Sequence, residues 1–352
     1  SGAQRVDILA PAAGTAYNVT VTGAVSSVLR YLNAVHVDIA GTLALQITGS
    51  DCDELIAVGD DSAAAEVSDA KRIYVGCVPP LGAVFDGVGY NAAVIDAVLD
   101  FDPASGRTAT DSAQRIMAYI DAQQLEVDWL LETHVHADHL TGAAHLKAQL
   151  GGRIGIGRRV TEVQETFAQT FNAEPWFKQD GSQFDKLFDD GEVFHVGDLE
   201  ARVLFTPGHT PACVTYVFDG AAFVGDTIFM PDYGTARTDF PGGDAGTLYQ
   251  SIQKILGLSE DTKLFMCHDY GSDQRSEFRF ATTVAEEREH NKLIHDGSDV
   301  DTFVSRREAR DAKLAAPKLL LPSVQFNMRG GQLPPAESNG VHYFKIPVRE
   351  VA

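Results

Sequence analysis

The stretch ETHVHADHLTG, residues 132–142, holds three histidines and an aspartate within six positions. In extended backbone, side chains two positions apart point to the same side of the chain. His134 and His136 can therefore face one ion. The chain must then bend to start a helix, which lets Asp138 and His139 approach from another direction. The spacing predicts a metal site, although Asp138 alone would also fit as a helix cap.

Three further candidate ligands each follow an apolar run. They are His209 in TPGHT, Asp226 in FVGDT and His268 in FMCHDY. Loops at one edge of a sheet can bring such strand ends together. Imidazole nitrogens with carboxylate oxygens suit zinc, iron or manganese, and no set of thiolates indicates a cysteine-rich structural zinc site. These residue types leave open whether the metal hydrolyses a substrate or activates oxygen.

Other catalytic patterns are missing from the sequence. It has no Gly-x-Ser-x-Gly nucleophile elbow, no Walker loop and no dinucleotide-binding glycine fingerprint. By strand alternation Cys267 should face away from a ligand at His268, so a thiolate nucleophile is not expected. Cys213 is expected to be a small buried residue. The metal is therefore the centre of the predicted chemistry.

The elements that must position these residues follow from hydrophobic periodicity. VDWLLETH (127–134) predicts a strand that ends at the histidines, and TGAAHLKAQL predicts the helix after them. AAVIDAVLDFDP predicts one buried strand. Amphipathic helices are predicted over about 110–124, capped by Thr110 or Asp111, and over 247–257, ended by Gly257. Strands mixed with amphipathic helices favour an α+β fold of mixed sheets covered by helices.

Residues 1–80 carry no recognisable chemistry. Short alternating runs such as NVTVTG, LALQI and HVDIAG predict strands. We therefore expect a β-rich N-terminal segment of unknown role, packed on a catalytic domain that spans residues 81–352.

Composition limits the classes of partner. The chain has 352 residues and a formal net charge of −21, which argues against nucleic acid and anionic membranes as partners. Four scattered cysteines and a start that lacks the features of a signal peptide favour a reduced, cytoplasmic protein. No apolar run approaches the roughly 18 residues of a membrane span.

The motifs THVHADH, TPGHT, GDT and CHDY, in this order, resemble the metallo-β-lactamase superfamily. The resemblance covers about residues 82–352 and implies a four-layer αββα sandwich. It also implies two metal positions and, at Asp96, a structural aspartate beneath the metal loop. The residues that match one position are His134, His136 and His209; those that match the other are Asp138, His139 and His268, with Asp226 between them.

The branch is indicated by ARTDFPGGDAGTLYQSI (236–252) and by HDYGSDQRSEFRFATTVAEEREHN, which resemble the persulfide dioxygenases. The tail LLPSVQFNMRGGQLPPAESNGVHYFKIPV is similar to that of β-lactamase-hydrolase-like sulfur dioxygenases. The resemblance implies a single Fe(II) held by His134, His209 and Asp226, with His136 behind the metal or in weak contact with it. It also places Arg237, and by extension Tyr270, near the thiol part of the substrate.

The expected reaction is oxidation of glutathione persulfide, or a similar small persulfide, by O₂ to sulfite and free thiol. The alternative is a dinuclear Zn(II) hydrolase of the glyoxalase II-like thioesterase, lactonase or β-lactamase type, which would use all seven candidate ligands. A non-catalytic scaffold fits less well because no ligand is missing. A homodimer is compatible with either enzyme.

Overall fold

In the computed structural model of the chain, the described residues are 91–348 without 273, 274 and 276, together with the backbone of six earlier strands. Those strands are β1 (Gln4–Leu9), β2 (Val25–Tyr31), β3 (Ala34–Ile39), β4 (Leu43–Thr48), β5 (Tyr74–Val75) and β6 (Gly82–Phe85). β1 pairs in parallel with β4, and β2 pairs antiparallel with β3. The runs LALQI and HVDIAG overlap β4 and β3, whereas NVTVTG lies outside the described residues.

From residue 91 onward, the described chain contains both strands and helices in a mixed order. The strands are β7 (Asn91–Ile95), β8 (Val98–Asp102), β9 (Arg107–Ala109), β10 (Glu126–Glu132), β11 (Leu140–Thr141), β12 (Arg153–Gly157), β13 (Lys186–Phe188), β14 (Val193–Val196), β15 (Leu199–Phe205), β16 (Val214–Phe218), β17 (Ala221–Phe223), β18 (Lys263–Phe265) and β19 (Ala281–Thr283). The helices are α1 (Asp111–Ala122), α2 (Ala143–Leu150), α3 (Val160–Thr170), α4 (Ala245–Leu256), α5 (Val284–His290), α6 (Val300–Asp311) and α7 (Leu320–Asn327).

Two six-stranded sheets form the centre of the fold. The first has the order β13–β12–β10–β7–β6–β5, parallel from β13 to β7 and antiparallel from β7 to β5. The second has the order β14–β15–β16–β17–β18–β19, antiparallel except between β17 and β18. A small sheet, β11–β8–β9, lies beside them.

Alternation along the strands separates the interior into three apolar layers. In β7, Val94 packs with α1, α2 and α3 on the outer side of the first sheet, whereas Ile95 packs between the two sheets. On the second sheet, Val203 and Tyr216 face the first sheet, and Leu264 packs with α4 and α6 on the outside. Because successive strand residues point to opposite faces, this pattern gives the predicted αββα sandwich.

The start of α4 and the capping of α1 differ from the predictions. α4 begins at Ala245, two residues before the predicted start, because the Asp244 carboxylate accepts a hydrogen bond from the Thr247 N–H at 2.6 Å. Thr110 does occupy the cap position of α1, but neither Thr110 nor Asp111 makes the predicted side-chain cap bond there.

AAVIDAVLDFDP is two strands rather than the single strand that we predicted. The chain turns between β7 and β8 at Asp96, whose φ of +54° lies in the left-handed region. Such a φ is uncommon for a residue other than glycine and is better tolerated by aspartate than by most. The turn brings the Asp96 side chain beneath the histidine loop.

β5 and β6 complete the edge of the first sheet beside β7. β5 therefore joins the sandwich although it precedes the predicted boundary at residue 81, and the extents of the two segments stay a prediction. Among the described residues, no helix is long and apolar enough to cross a bilayer.

Candidate metal centre

The candidate ligands lie at the ends of strands from both sheets. β10 of the first sheet ends two residues before His134. In the second sheet, His209 follows β15, Asp226 follows β17 and His268 follows β18. The structure therefore brings together side chains that are up to 134 positions apart in sequence, as the strand-end argument predicted.

Three groups of possible ligand atoms occur in the described residues, and one of them, Asp96, Glu132 and His136, lies beneath the other two. In His134, His209 and Asp226, one atom from each side chain lies within 4.8 Å of the others. His136, Asp138 and His139 satisfy the same condition. Each of these two groups supplies two imidazoles and one carboxylate. The structure groups His136 with Asp138 and His139 and not, as the resemblance implied, with His134 and His209.

His268 connects the two groups. Its Nε2 lies 3.3 Å from the Asp138 carboxylate and 3.6 Å from that of Asp226. His209 Nε2 also lies 3.6 Å from Asp226. All seven sequence-predicted ligands therefore belong to one continuous cluster.

Hydrogen bonds behind His134 determine which ring nitrogen faces the cluster. The Thr133 hydroxyl donates to the Asp96 carboxylate at 2.8 Å, so its oxygen is left to accept from His134 Nδ1 at 3.0 Å. A proton on Nδ1 leaves the lone pair on Nε2 of His134 for a metal. Asp96 therefore orients this ligand through Thr133.

The same aspartate orients His136 directly. His136 Nε2 donates to Asp96 at 2.9 Å, which turns Nδ1 towards the cluster. Asp96 also accepts from the Thr133 N–H at 2.7 Å and from the Cys267 thiol at 3.2 Å. Cys267 is thus a donor to the supporting aspartate rather than a nucleophile, and burial raises its pKa well above the ordinary value.

His209 is oriented from the other side of the site. Its Nδ1 donates to the backbone carbonyl oxygen of Arg237 at 2.8 Å. Because a carbonyl oxygen only accepts, Nδ1 carries the proton and Nε2 is the metal-facing nitrogen.

Four buried polar atoms in the cluster have no hydrogen-bond partner among the described residues: His134 Nε2, His136 Nδ1, His139 Nε2 and Asp226 Oδ1. Leaving buried polar atoms unpaired is costly unless another group satisfies them. The atoms left unpaired are those that the tautomers of His134 and His136 offer to a ligand. Their chemistry fits a divalent transition metal.

Electrostatics in the protein alone favour the neutral, metal-binding form of His134 and His139 but the protonated form of His136. Burial lowers the pKa of His134 well below its ordinary value, and burial likewise lowers the pKa of His139. Burial also opposes a charge on His136, but the Asp96 carboxylate outweighs it and raises the pKa of His136 to about 10. Metal binding at Nδ1 of His136 would therefore release a proton.

Two glycines in the predicted motifs are required by the backbone. Gly208 of TPGHT has a φ of +140°, and a Cβ there would lie 2.4 Å from the Cα of Leu248 in α4. Gly225 of VGDT has a φ of +53°, and a Cβ would lie 2.7 Å from the Thr133 hydroxyl. Any larger residue at Gly225 would disturb the contact that orients His134.

Glu132 is a supporting residue that the sequence did not reveal. It is buried, accepts a hydrogen bond from the Thr141 hydroxyl, and lies 3.6 Å from His136 Nε2. Burial raises its pKa to about 8. Glu132 is the last residue of β10, and nothing in the sequence indicates that its side chain lies beneath the histidines.

Three aromatic rings border the cluster beside His268; Tyr270 is exposed and Phe229 is buried. Tyr270 is 56% exposed, and its ring centroid lies 5.4 Å from that of His268. The rings of Tyr233 and Phe229 lie 4.8 and 5.6 Å from Tyr270. Of these three aromatic residues, the sequence predicted only Tyr270 as a substrate contact, although Phe229 and Tyr233 lie between the GDT and RTDF motifs.

Arg237 lies beside the site, and its guanidinium donates hydrogen bonds to other groups of the protein. Its Nε and Nη2 each donate to the Asp239 carboxylate at 2.6 Å, and its Nη1 donates to the Ala315 carbonyl at 2.7 Å. The side chain is 21% exposed. A substrate anion would have to compete with Asp239 for this guanidinium.

Comparison with known proteins agrees with this fold and site. The metallo-beta-lactamase superfamily profile matches residues 86–268, and the chain belongs to that superfamily. Such proteins are metal-dependent enzymes, and the matched region contains all seven candidate ligands. The predicted family and fold are confirmed.

Individual relatives differ in name. A probable metallo-hydrolase of Burkholderia pseudomallei is 55% identical, over 75% of this chain and 93% of its own length. A beta-lactamase hydrolase-like protein of Xylella fastidiosa is 50% identical over 75% of this chain, which spans 61% of that relative. Human mitochondrial persulfide dioxygenase ETHE1 is 31% identical over 58% of this chain and 66% of its own length.

Among solved structures, the crystal structure of ETHE1 from Myxococcus xanthus superposes with a TM-score of 0.57. The match has 26% sequence identity and covers 72% of this chain and 94% of the other.

Proposed function

We propose that the chain is a non-haem Fe(II)-dependent dioxygenase. The proposed reaction converts a small thiol persulfide, such as glutathione persulfide, with O₂ and water into sulfite and the free thiol. The observation that carries this proposal is the grouping of His134, His209 and Asp226, whose ligand atoms lie within 4.8 Å of one another. Two histidines and one carboxylate with open positions form the ligand set of non-haem Fe(II) oxygenases.

Iron held in this way would supply the redox chemistry that O₂ requires and that zinc lacks. The chain's own residues support the assignment by orienting the ligands. Asp96 and the Arg237 carbonyl fix the metal-facing nitrogens of His134 and His209. The named persulfide dioxygenase among the relatives supports the same reaction.

The proposed substrate contacts are Tyr270 and Arg237. Tyr270 presents an exposed ring next to His268 and packs against Tyr233 and the buried Phe229. An aromatic face suits the carbon and sulfur portion of a small thiol. Arg237 would meet a substrate carboxylate only if the pair with Asp239 opens.

A dinuclear zinc hydrolase is the second candidate, and a specific observation favours it. His136, Asp138 and His139 form a second group with the spacing of a metal site, and His268 lies between the two groups. Two metals could then activate one water for attack on a thioester, lactone or β-lactam. The probable metallo-hydrolase relative is consistent with this alternative.

Metal analysis combined with two activity assays distinguishes the candidates. Protein made in iron-supplemented cells should contain close to one iron per chain and consume O₂ when glutathione persulfide is added, with sulfite as product. A zinc-loaded sample of the same protein serves as the control and should consume none. Two zinc ions per chain, with turnover of a thioester or β-lactam and no O₂ uptake, would establish the hydrolase instead.

The remaining proposals concern partners. We propose that the chain acts on small molecules and binds neither nucleic acid nor membranes, as its net charge of −21 suggests. The homodimer and the cytoplasmic location stay predictions.

A further inference from the structure

The C-terminal helix contacts the metal-binding loop through one buried amide. Asn327, the last residue of α7, is 3% exposed. Its Nδ2 donates to the backbone carbonyl oxygens of His136 at 2.9 Å and His139 at 2.8 Å. Its Oδ1 accepts from the N–H of Thr141 at 2.8 Å.

These three bonds satisfy two carbonyl groups of the loop and one N–H of β11, the short strand that follows it. The loop carries four candidate ligands between residues 134 and 139 and must bend sharply to present them. Its carbonyls and N–H are buried, and buried backbone groups need partners. A side-chain amide has two donors and an acceptor in one plane, so Asn327 can hold both sides of the bend.

The tail that carries Asn327 is itself firmly anchored. Val324 and Met328 are buried in the core beneath α1–α3, and the Met328 carbonyl accepts from the buried Gln164 amide at 2.9 Å. Gly331, with a φ of +80°, packs so closely on α2 that a Cβ would lie 3.0 Å from the Cβ of Ala144. The position of Asn327 is therefore set by packing and not by the loop alone.

We propose that Asn327 is a positioning residue of the metal centre, which fixes the backbone of His136 and His139 so that their side chains meet the ion. The proposal rests on metal binding by this loop and does not depend on whether the bound metal supports oxygenation or hydrolysis.

The test uses the full-length chain and two substitutions. Asn327→Leu removes all three hydrogen bonds at similar volume. Asn327→Asp keeps an acceptor for the Thr141 N–H but replaces the amide donors with an oxygen that faces two carbonyl oxygens. Cobalt(II) affinity, followed by absorption in competition with a chelator, reports on the metal site without any turnover.

Gln325 provides a matched control in the same helix. It is also a buried amide with three hydrogen bonds, but they go to Leu321 and Lys345 within the tail. Gln325→Glu should therefore loosen the tail without touching the metal loop.

We expect both Asn327 variants to bind cobalt(II) about 10- to 100-fold more weakly, the range typical of groups that orient metal ligands. Gln325→Glu should bind it as the unsubstituted protein does. Hydrogen exchange of the metal-free protein gives a second readout. Exchange of the Thr141 amide should rise in Asn327→Leu and stay protected in Asn327→Asp.

The proposal is overturned if both Asn327 variants bind cobalt(II) normally, or if Gln325→Glu weakens binding equally. If Asn327→Leu does not fold, cobalt(II) affinity is measured with the near-isosteric Asn327→Asp alone. Absence of O₂ uptake by the unsubstituted protein would count against the proposed dioxygenase alone, because the cobalt(II) comparison does not depend on turnover.

Discussion

His209 Nδ1 lies 2.8 Å from the carbonyl oxygen of Arg237. Arg237 therefore orients His209 through its backbone carbonyl, independently of any contact that its side chain makes. The guanidinium meanwhile pairs with Asp239 and the Ala315 carbonyl, which holds the segment that carries this carbonyl. Substitutions in the pair can therefore affect substrate binding, metal binding or both.

Comparison of Arg237→Ala with Asp239→Asn separates these effects. Each breaks the same ion pair and should cost at most about 1 kcal/mol of stability, because the pair is partly exposed. If the guanidinium binds substrate, we expect Arg237→Ala to raise KM for the persulfide. Asp239→Asn should leave KM unchanged or decrease it. Steady-state O₂ uptake measures KM, and equal KM values for the two variants would show that the arginine is only structural.

Asp226→Ala and His268→Ala distinguish one metal from two. Asp226 belongs to the group of three that we assign to iron, so its loss should leave little iron bound. His268 contacts both carboxylates but lies outside that group, so His268→Ala should keep close to one iron per chain with O₂ uptake about 10- to 100-fold lower. Plasma emission spectrometry gives the metal content. Two metals in the wild type, falling to one in His268→Ala, would contradict the mononuclear assignment.

Asp96→Asn tests how the histidine tautomers are set. Asparagine tolerates the φ of +54° at this position, so the substitution changes hydrogen bonding with little backbone strain. Its amide has fewer acceptor sites for His136, Thr133 and Cys267. We expect cobalt(II) affinity to fall about 10- to 100-fold. Cys267→Ala removes one donor to the same carboxylate and is the control, for which affinity should stay near that of the wild type.

Glu287→Gln should change the pH dependence of stability. Glu287 is fully buried, with one carboxylate oxygen bonded to Asn291 at 2.6 Å and the other without a hydrogen-bond partner in the part of the chain that the structure describes. Burial, with smaller contributions from Glu286 and Asp232, raises its pKa from 4.5 to about 9. Stability from this group is therefore fully present below pH 4.5 and is lost as the pH rises towards 9, because only the unfolded chain then releases the proton.

Between these limits the slope is at most about 1.4 kcal/mol per pH unit. Urea unfolding at pH 6 and pH 8.5 should show a smaller loss of stability for Glu287→Gln than for the wild type. Any change in stability that the new amide causes is the same at both pH values and therefore does not affect the comparison of the two pH slopes. Parallel slopes in the two proteins would show that Glu287 is ionised in the fold.

The sequence predicted the parts of the site that depend on local spacing. Alternation places His134 and His136 near one another, and strand ends indicate His209 and Asp226, because both signals lie within a few residues of each candidate. The sandwich and the superfamily were predicted from the ordered motifs and are confirmed.

The supporting residues were harder to predict from the sequence alone. Asn327 reaches the loop from 186 to 191 positions away, and no local pattern marks an asparagine for that role. The sequence predicts Glu132 only as part of a strand, and the turn at Asp96 lies within a stretch that was predicted as one strand. Their functions depend on tertiary packing, which spacing along the chain does not encode.

The distance in sequence between Asn327 and its loop also sets an order of assembly. During synthesis, the ribosome makes the histidine loop long before the residue that holds its backbone, since 188 positions separate His139 from Asn327. A nascent chain that ends after α6 would already contain every candidate ligand but not this amide. At roughly 5–20 residues per second, the loop waits on the order of ten seconds or more for its partner. Completion of the metal centre therefore comes only after another 188 residues have been added beyond His139.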